Sequence, residues 1–595
     1  ASPQPSPTER VGERLYNFIK MRYRVILFIC VLQTLFAYAV GAETHFMLTL
    51  NEQWKFSTGD SSVWATTEFD DNQWGTISSR QYWEEQGYDG YDGYGWYRQH
   101  FKISEDWKPI VTNAGGLYIR YEFADDVDEV FVNGVSVGRM GEFPPEYKVI
   151  YGGMRKYKIS PELLRFGEEN LIAIRVYDNG GAGGLKTENI LLQSITPMDD
   201  LMLDIRCDDS DWVFENTETI DFRVCPKQPL VAGGEFNLVC NVTTDTYLPV
   251  DSFVYRVKGD FEQPVSFVPP APGFYRITLY GEQQGVKSDF LKFNMGYCPE
   301  QIISPVDVEP DFDQFWETTL KELSEVVPDY RMTLLEEKSQ GAKNIYRVEM
   351  YSLGNVRIEG YYAVPKQKGK FPSVISFLGY GSGGGFPRPD NLPGFCEFIL
   401  STRGQGIQLP VNTYGKWIVH GLEDKSQYYY RGAFMDLVRG IDFLCSRPEV
   451  DTEKIFAEGG SQGGAFTLAA CALDRRICAA APYIPFLSDF EDYFKIAPWP
   501  RSVFEEYLRS HEESSWDEIY RLLSYFDSKN LAPRITCPII MGVGLQDNIC
   551  PPHINFSGYN QVKSPKRYYI YYDKEHTVGK SWWTIRNNFF RSFCN

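Results

Sequence analysis

Residues 454–473 read KIFAEGGSQGGAFTLAACAL, and this stretch decides the fold of the C-terminal half. Its opening, KIFAE, is a short apolar run of the kind that forms a buried strand, and its close, AFTLAACAL, is rich in helix-forming residues. Between them Gly459-Gly460-Ser461-Gln462-Gly463 has the GxSxG spacing. A serine on a tight strand-to-helix turn is held in a strained conformation, and only neighbours without a Cβ let that turn close with the hydroxyl protruding. GxSxG alone often arises by accident. Its place after a strand and before a helix makes it a nucleophile elbow and predicts an α/β sheet with Ser461 at its carboxyl-terminal edge.

Working outward, apolar strand runs alternate with helical periodicity from Pro305 onward. PSVISFLG, FCEFILST, KIFAEGG, CPIIMGVG and RYYIYYD read as strands; YRGAFMDLVRGIDFLCSRP reads as an amphipathic helix stopped by its proline, and SWWTIRNNFFRSF as a closing helix. The pattern predicts a mostly parallel sheet with helices on both faces over residues 301–595, an α/β-hydrolase domain. A helical insertion at residues 489–527 is expected to wall the pocket beside the serine.

The 595 residues exceed what one core can bury, so several domains are expected. Residues 43–200 show short alternating runs (LYIRYEF, DEVFVNGVSVG, NLIAIRVYD), with Asn133-Gly134 predicting a type I′ hairpin; they read as an all-β sandwich. Residues 203–300 read as a smaller, immunoglobulin-like sandwich with a packing role. In it Phe236, Leu238, Cys240 and Val242 alternate with polar partners, and Tyr275, Ile277 and Leu279 do the same. Residues 21–42 have a basic start, an apolar stretch and a small-residue Val-Gly-Ala end, so they read as a secretory signal cleaved near Ala42, with the mature chain secreted or periplasmic. Residues 1–20 read as a non-native upstream segment.

The net charge of -20 argues against nucleic acid and anionic membrane surfaces as partners. Tyrosine and tryptophan (39 and 13 residues) suit both sugar stacking and sandwich cores. The 12 cysteines show no CxxC pair, which argues against a zinc ribbon. Export would allow one or two bridges among Cys207, Cys225, Cys240 and Cys298.

A serine hydroxyl needs a base, normally a histidine oriented by a carboxylate. Of the six histidines, His420, His511, His553 and His576 fall in the α/β region. The chain order serine, acid, histidine excludes His420, His511 precedes the late acids, and His553 is expected to cap the helix that follows it. His576, just after the strand RYYIYYD, is left as the base. Asp547 follows the strand PIIMGVG and is the favoured acid over Asp573 and Glu575, the latter expected to face solvent. The oxyanion donors expected are the backbone N–H groups of Gln462 and of Tyr380, in FLGYGSGGG. That glycine run lacks the lysine of a phosphate cradle.

From about residue 310 to the C-terminus the chain resembles the acetyl xylan esterase and cephalosporin C deacetylase family, carbohydrate esterase family seven. The resemblance is carried by PDFDQFW at 310–316, GY before the glycine run, TRGQG at 402–406, YYYR at 428–431, GGSQGG at 459–464, GLQDNICPP at 544–552 and Glu575-His576. It implies Ser461, Asp547 and His576 as triad, Tyr380 and Gln462 as oxyanion donors, and Arg403 and Gln405 as residues that brace the site. It further implies deacetylation of O-acetylated sugars, with xylan oligosaccharides as substrate, no metal or organic cofactor, and a homo-oligomer whose packing the extra sandwiches would obstruct. The chain departs from the family between Gly406 and Lys425. Residues 43–200 resemble the galactose-binding-like jelly rolls that precede glycoside hydrolase modules. A serine peptidase of the prolyl oligopeptidase type shares the triad order, and a carbohydrate-binding protein with a decayed hydrolase domain is the non-catalytic alternative.

Overall fold

The computed structural model describes residues 45–594, apart from 151–153, 216, 229–233 and 388–391. The expected signal at 21–42 and the segment 1–20 lie outside the described residues. The chain divides into two compact units, residues 1–200 and 201–595.

In the first unit two antiparallel sheets of four and six strands carry alternating inward side chains. Trp54, Trp83, Tyr97, Ile119, Val130, Ile172 and Ile174 are buried together. Asn133 and Gly134 both have positive φ, 48° and 89°, and join the paired strands Val127–Val132 and Val135–Met140. This is the turn the Asn-Gly pair demands, since primed turns match the right-handed twist of the strands they join.

The second unit begins with a small sandwich. A three-stranded sheet (Leu203–Arg206, Ile220–Pro226, Gln263–Phe267) accompanies a larger one that contains Phe236–Thr244 and Gly273–Gln283. Phe236, Leu238, Cys240 and Val242 are buried, as are Tyr275, Ile277 and Leu279, matching their period of two. Cys207, Cys225, Cys240 and Cys298 are all free thiols, so the bridges allowed by export are absent among them. Their sulfurs sit on separate strands and loops, and burial raises the thiol pKa of Cys207, Cys225 and Cys240.

After the sandwich in the chain comes a nine-stranded sheet. Its strands are β1 (Arg331–Leu334), β2 (Lys343–Ser352), β3 (Val356–Pro365), β4 (Phe371–Phe377), β5 (Cys396–Ser401), β6 (Val450–Gly460), β7 (Ile477–Tyr483), β8 (Ile539–Gly544) and β9 (Lys566–Tyr571). The order is β1-β2-β3-β5-β4-β6-β7-β8-β9. From β1 through β3 to β5 neighbours run antiparallel; from β5 to β9 all run parallel. Strand β8 (IIMGVG) is apolar and buried along its whole length, as expected of a central strand with packed side chains on both faces of its sheet. Helix α1 is Phe312–Glu325, α2 Tyr429–Cys445 and α3 Gln462–Leu473. The insertion after β7 forms α4 (Phe490–Ile496), α5 (Pro498–Ser510) and α6 (Trp516–Leu523), while α7 (Pro552–Gln561) and α8 (Ser581–Arg591) flank β9 in sequence. No helix among the described residues is long and apolar enough to cross a membrane.

Candidate active site

Strand β6 ends at Gly460 and α3 starts at Gln462, so Ser461 alone makes the turn, with φ 57° and ψ -123°. A side chain is rarely held there, and the surroundings show why it stays. A Cβ on Gly459 would come within 2.4 Å of the Gly463 carbonyl oxygen, and one on Gly463 within 2.2 Å of the Phe377 carbonyl oxygen. The glycines let strand, turn and helix close on one another, and the serine hydroxyl is left to protrude.

Asp547 lies just past β8 and is buried. Its Oδ1 accepts the backbone N–H groups of Ile549 and Cys550, both at 2.8 Å. Its Oδ2 lies 2.8 Å from His576 Nδ1, and His576 Nε2 lies 3.0 Å from Ser461 Oγ. The loop that carries His576 is laid on the acid loop: Gln546 N–H donates to the Lys574 carbonyl at 2.9 Å. Gly544 is required at that crossing, where a Cβ would stand 2.1 Å from the Glu575 carbonyl oxygen. The rival acids Asp573 and Glu575 are both exposed.

Gln462 and Tyr380 follow the elbow and β4, and among the described residues neither backbone N–H has a protein acceptor. The Gln462 side chain is itself fixed. Its amide pairs with that of Gln405 at 3.0 Å, and its Oε1 accepts the Tyr430 hydroxyl at 2.9 Å. Gln405 Nε2 also donates to the Tyr429 hydroxyl at 2.8 Å, and Gly381 N–H leans toward Gln405 Oε1 at 3.4 Å. Arg403 is buried against Asp436 of α2, which accepts the Arg403 backbone N–H and Nε at 3.0 Å each and Nη2 at 2.7 Å. Gln405 therefore touches Gln462 and the loop that carries Tyr380 rather than the serine, while Arg403 is fastened to α2 and to the Leu353 carbonyl.

Sequence reasoning missed Asp436, Tyr429, Tyr430 and Cys550. Asp436 had a signal: a carboxylate amid AFMDLV, on a helix whose surrounding residues are apolar, must find a buried partner. Cys550 had none. Its Sγ lies 3.9 Å from Ser461 Oγ, and burial pushes its thiol pKa well up, so a neutral thiol stands beside the serine hydroxyl. Phe486 and Trp499, from the insertion and its approach, stack at 5.3 Å; Trp499 and Trp417 each meet the Tyr380 ring edge-on, at 5.6 and 5.1 Å. Trp417 belongs to the 406–425 loop, which Lys416 ties to Glu506 of α5 at 2.6 Å.

His553 does not cap α7. Its ring turns instead to Asp245 of the small sandwich, with Nδ1 2.7 Å from Oδ2. His511 stacks on Tyr507 and His420 meets Tyr414 edge-on, apart from the serine's hydrogen-bonded chain.

Residues 301–593 match the acetyl xylan esterase (AXE1) family. Through this half the chain belongs to that family. It is 28% identical over 335 residues to acetyl esterase Axe7A of Xylanibacter ruminicola, a match covering 53% of this chain and 73% of the relative. An acetyl xylan esterase structure from Paenibacillus sp. R4 is 30% identical, with 49% of this chain and 98% of that one covered and a TM-score of 0.47. A second similarity, 29% over 146 residues, is to a β-glucuronidase of Formosa agariphila and spans 22% of this chain and 13% of that protein.

Proposed function

We propose that this carbohydrate acetyl esterase works through a serine acyl-enzyme and removes O-acetyl groups from xylan-derived oligosaccharides. The observation that carries the mechanism is the unbroken hydrogen-bonded chain Asp547–His576–Ser461 at 2.8 and 3.0 Å, set on a strained elbow. Ser461 Oγ attacks the ester carbonyl carbon as its proton passes to His576 Nε2, and Asp547 holds the Nδ1 proton and stabilises the imidazolium. The N–H groups of Tyr380 and Gln462 receive the developing oxyanion. As the C–O bond breaks, His576 returns the proton to the sugar oxygen. Water then adds to the acetyl-serine by the same relay, releasing acetate and restoring the serine. The aromatic wall of Tyr380, Trp417, Phe486 and Trp499 supports a small acyl group and a flat sugar face beyond it.

The test is acetate release from acetylated xylo-oligosaccharides, other acetylated glycans and cephalosporin C, beside a peptide-amide assay. Acetate release with a trapped acetyl adduct on Ser461 is expected. Cleavage of the amide alone would assign a peptidase, and glycan binding without turnover would assign a binding protein.

A further inference from the structure

His553 is the second residue of α7, and its side chain is only 13% exposed. One ring nitrogen, Nδ1, is 2.7 Å from the Asp245 carboxylate. The other, Nε2, is wholly enclosed and has no hydrogen-bond partner. Its nearest acidic oxygens are Asp492 Oδ2 at 3.5 Å and Asp489 Oδ2 at 3.9 Å. Asp245 fixes Nδ1 and so directs Nε2 at the two carboxylates, where a cation that displaces the Nε2 proton would meet one nitrogen and two oxygen donors. Two donors held about 2.1 Å from one tetrahedral ion stand about 3.4 Å apart, close to the two His553–Asp spacings, and all three ligand atoms lie within 4.8 Å of one another.

The surrounding charge points the same way. Asp245, Asp307, Asp489, Asp492 and Asp527 gather here, and the ammonium groups among them are Lys529, 3.2 Å from Asp489 Oδ1, and Lys495, 2.8 Å from Asp492 Oδ1. Lys495 engages Oδ1 of Asp492 and leaves Oδ2 toward the ring. Asp489 Oδ2 is aligned by the Ser304 and Ser557 hydroxyls, at 2.5 and 2.8 Å. The side chain of Asp492 is 33% exposed, so water can reach the cluster from its side.

We propose that His553 Nε2, Asp489 Oδ2 and Asp492 Oδ2 bind one divalent transition-metal ion, Zn²⁺ by preference, with Asp245 orienting the imidazole and water completing the shell. An imidazole ligand favours Zn²⁺ over Ca²⁺ and Mg²⁺, which take oxygen. The ion is structural and independent of the ester chemistry. It ties the sandwich turn at Asp245 and the insertion helix α4 to the start of α7.

The experiment uses the full chain, stripped by a chelator, then titrated by calorimetry with Zn²⁺ and separately with Ca²⁺, with Tm read in parallel. One Zn²⁺ per chain, a raised Tm and no comparable Ca²⁺ binding are expected. His553→Gln should abolish binding, and Asp245→Asn should weaken it about 10- to 100-fold. Co²⁺ bound to the unaltered chain should show imidazole and carboxylate ligation without thiolate charge transfer, a readout that stands even if His553→Gln does not fold. Absence of saturable Zn²⁺ binding would make the ring a plain ion-paired imidazolium and overturn the proposal. So would a thiolate band, or Zn²⁺ affinity unchanged in His553→Gln.

Discussion

Two buried aspartates stand on either side of the elbow, and they are used in opposite ways. Asp436 is saturated: one arginine takes both its oxygens through backbone N–H, Nε and Nη2. Asp547 is half spent. Two backbone N–H groups take Oδ1, and Oδ2 is left for a single histidine nitrogen. A carboxylate whose partners are all permanent is a fastener, whereas one with an arm given to a titratable ring can follow a change of charge during reaction. The difference lies in which residue types face it: a guanidinium that never loses its proton, against an imidazole that does.

The largest effect is expected at the atom Asp547 serves. Ser461→Ala should lower kcat for acetate release by about 10⁴- to 10⁶-fold with Tm unchanged, read by steady-state assay and thermal unfolding together. Asp547→Asn should cost about 10⁴-fold in kcat, because the amide favours the wrong imidazole tautomer, again with little change in Tm. Asp436→Ala should act on the other axis. Stranding the Arg403 guanidinium should cost about 3–5 kcal/mol of stability in denaturant unfolding, with KM for acetyl ester moving less than Cm. If Asp436→Ala instead lost rate at native stability, the division between fastener and catalyst would fail. Smallest of all, Tyr429→Phe, which removes a hydroxyl shared by Gln405 and the Arg403 carbonyl, should cost about 1 kcal/mol of stability.

Much of this was legible in the chain. The elbow glycines, the strand and helix on either side of Ser461 and the scarcity of histidines led to three residues that the fold brings within hydrogen-bonding distance of one another. Local signals sufficed because each residue sits directly after a recognisable strand. The antiparallel beginning of the sheet is the less legible part: β1 is short and mostly exposed, and the alternation in β2 and β3 marks strands without telling which neighbours they pair with or in which direction. Asp436 was passed over because a helix read by its apolar stripe hides the one charged residue turned inward. The meeting of His553 with Asp245 spans 308 residues of sequence, and no periodicity reports a contact of that range. The position at a helix start suggests a cap; a carboxylate from the sandwich turn offers the ring a stronger partner.

The small sandwich holds the acid loop by hand. Asn294 N–H donates to Gln546 Oε1 at 2.7 Å, Asn294 Nδ2 donates to the Leu545 carbonyl at 3.1 Å, and Gln546 Nε2 returns a bond to the Asn294 carbonyl at 3.2 Å. Both gripped residues immediately precede Asp547. An esterase trimmed at residue 301 to its family boundary would keep every reacting group, yet would lose the clasp on the peptide that aims its acid. The unit to keep in engineering therefore starts near residue 201, with the sandwich retained as a support of the acid loop.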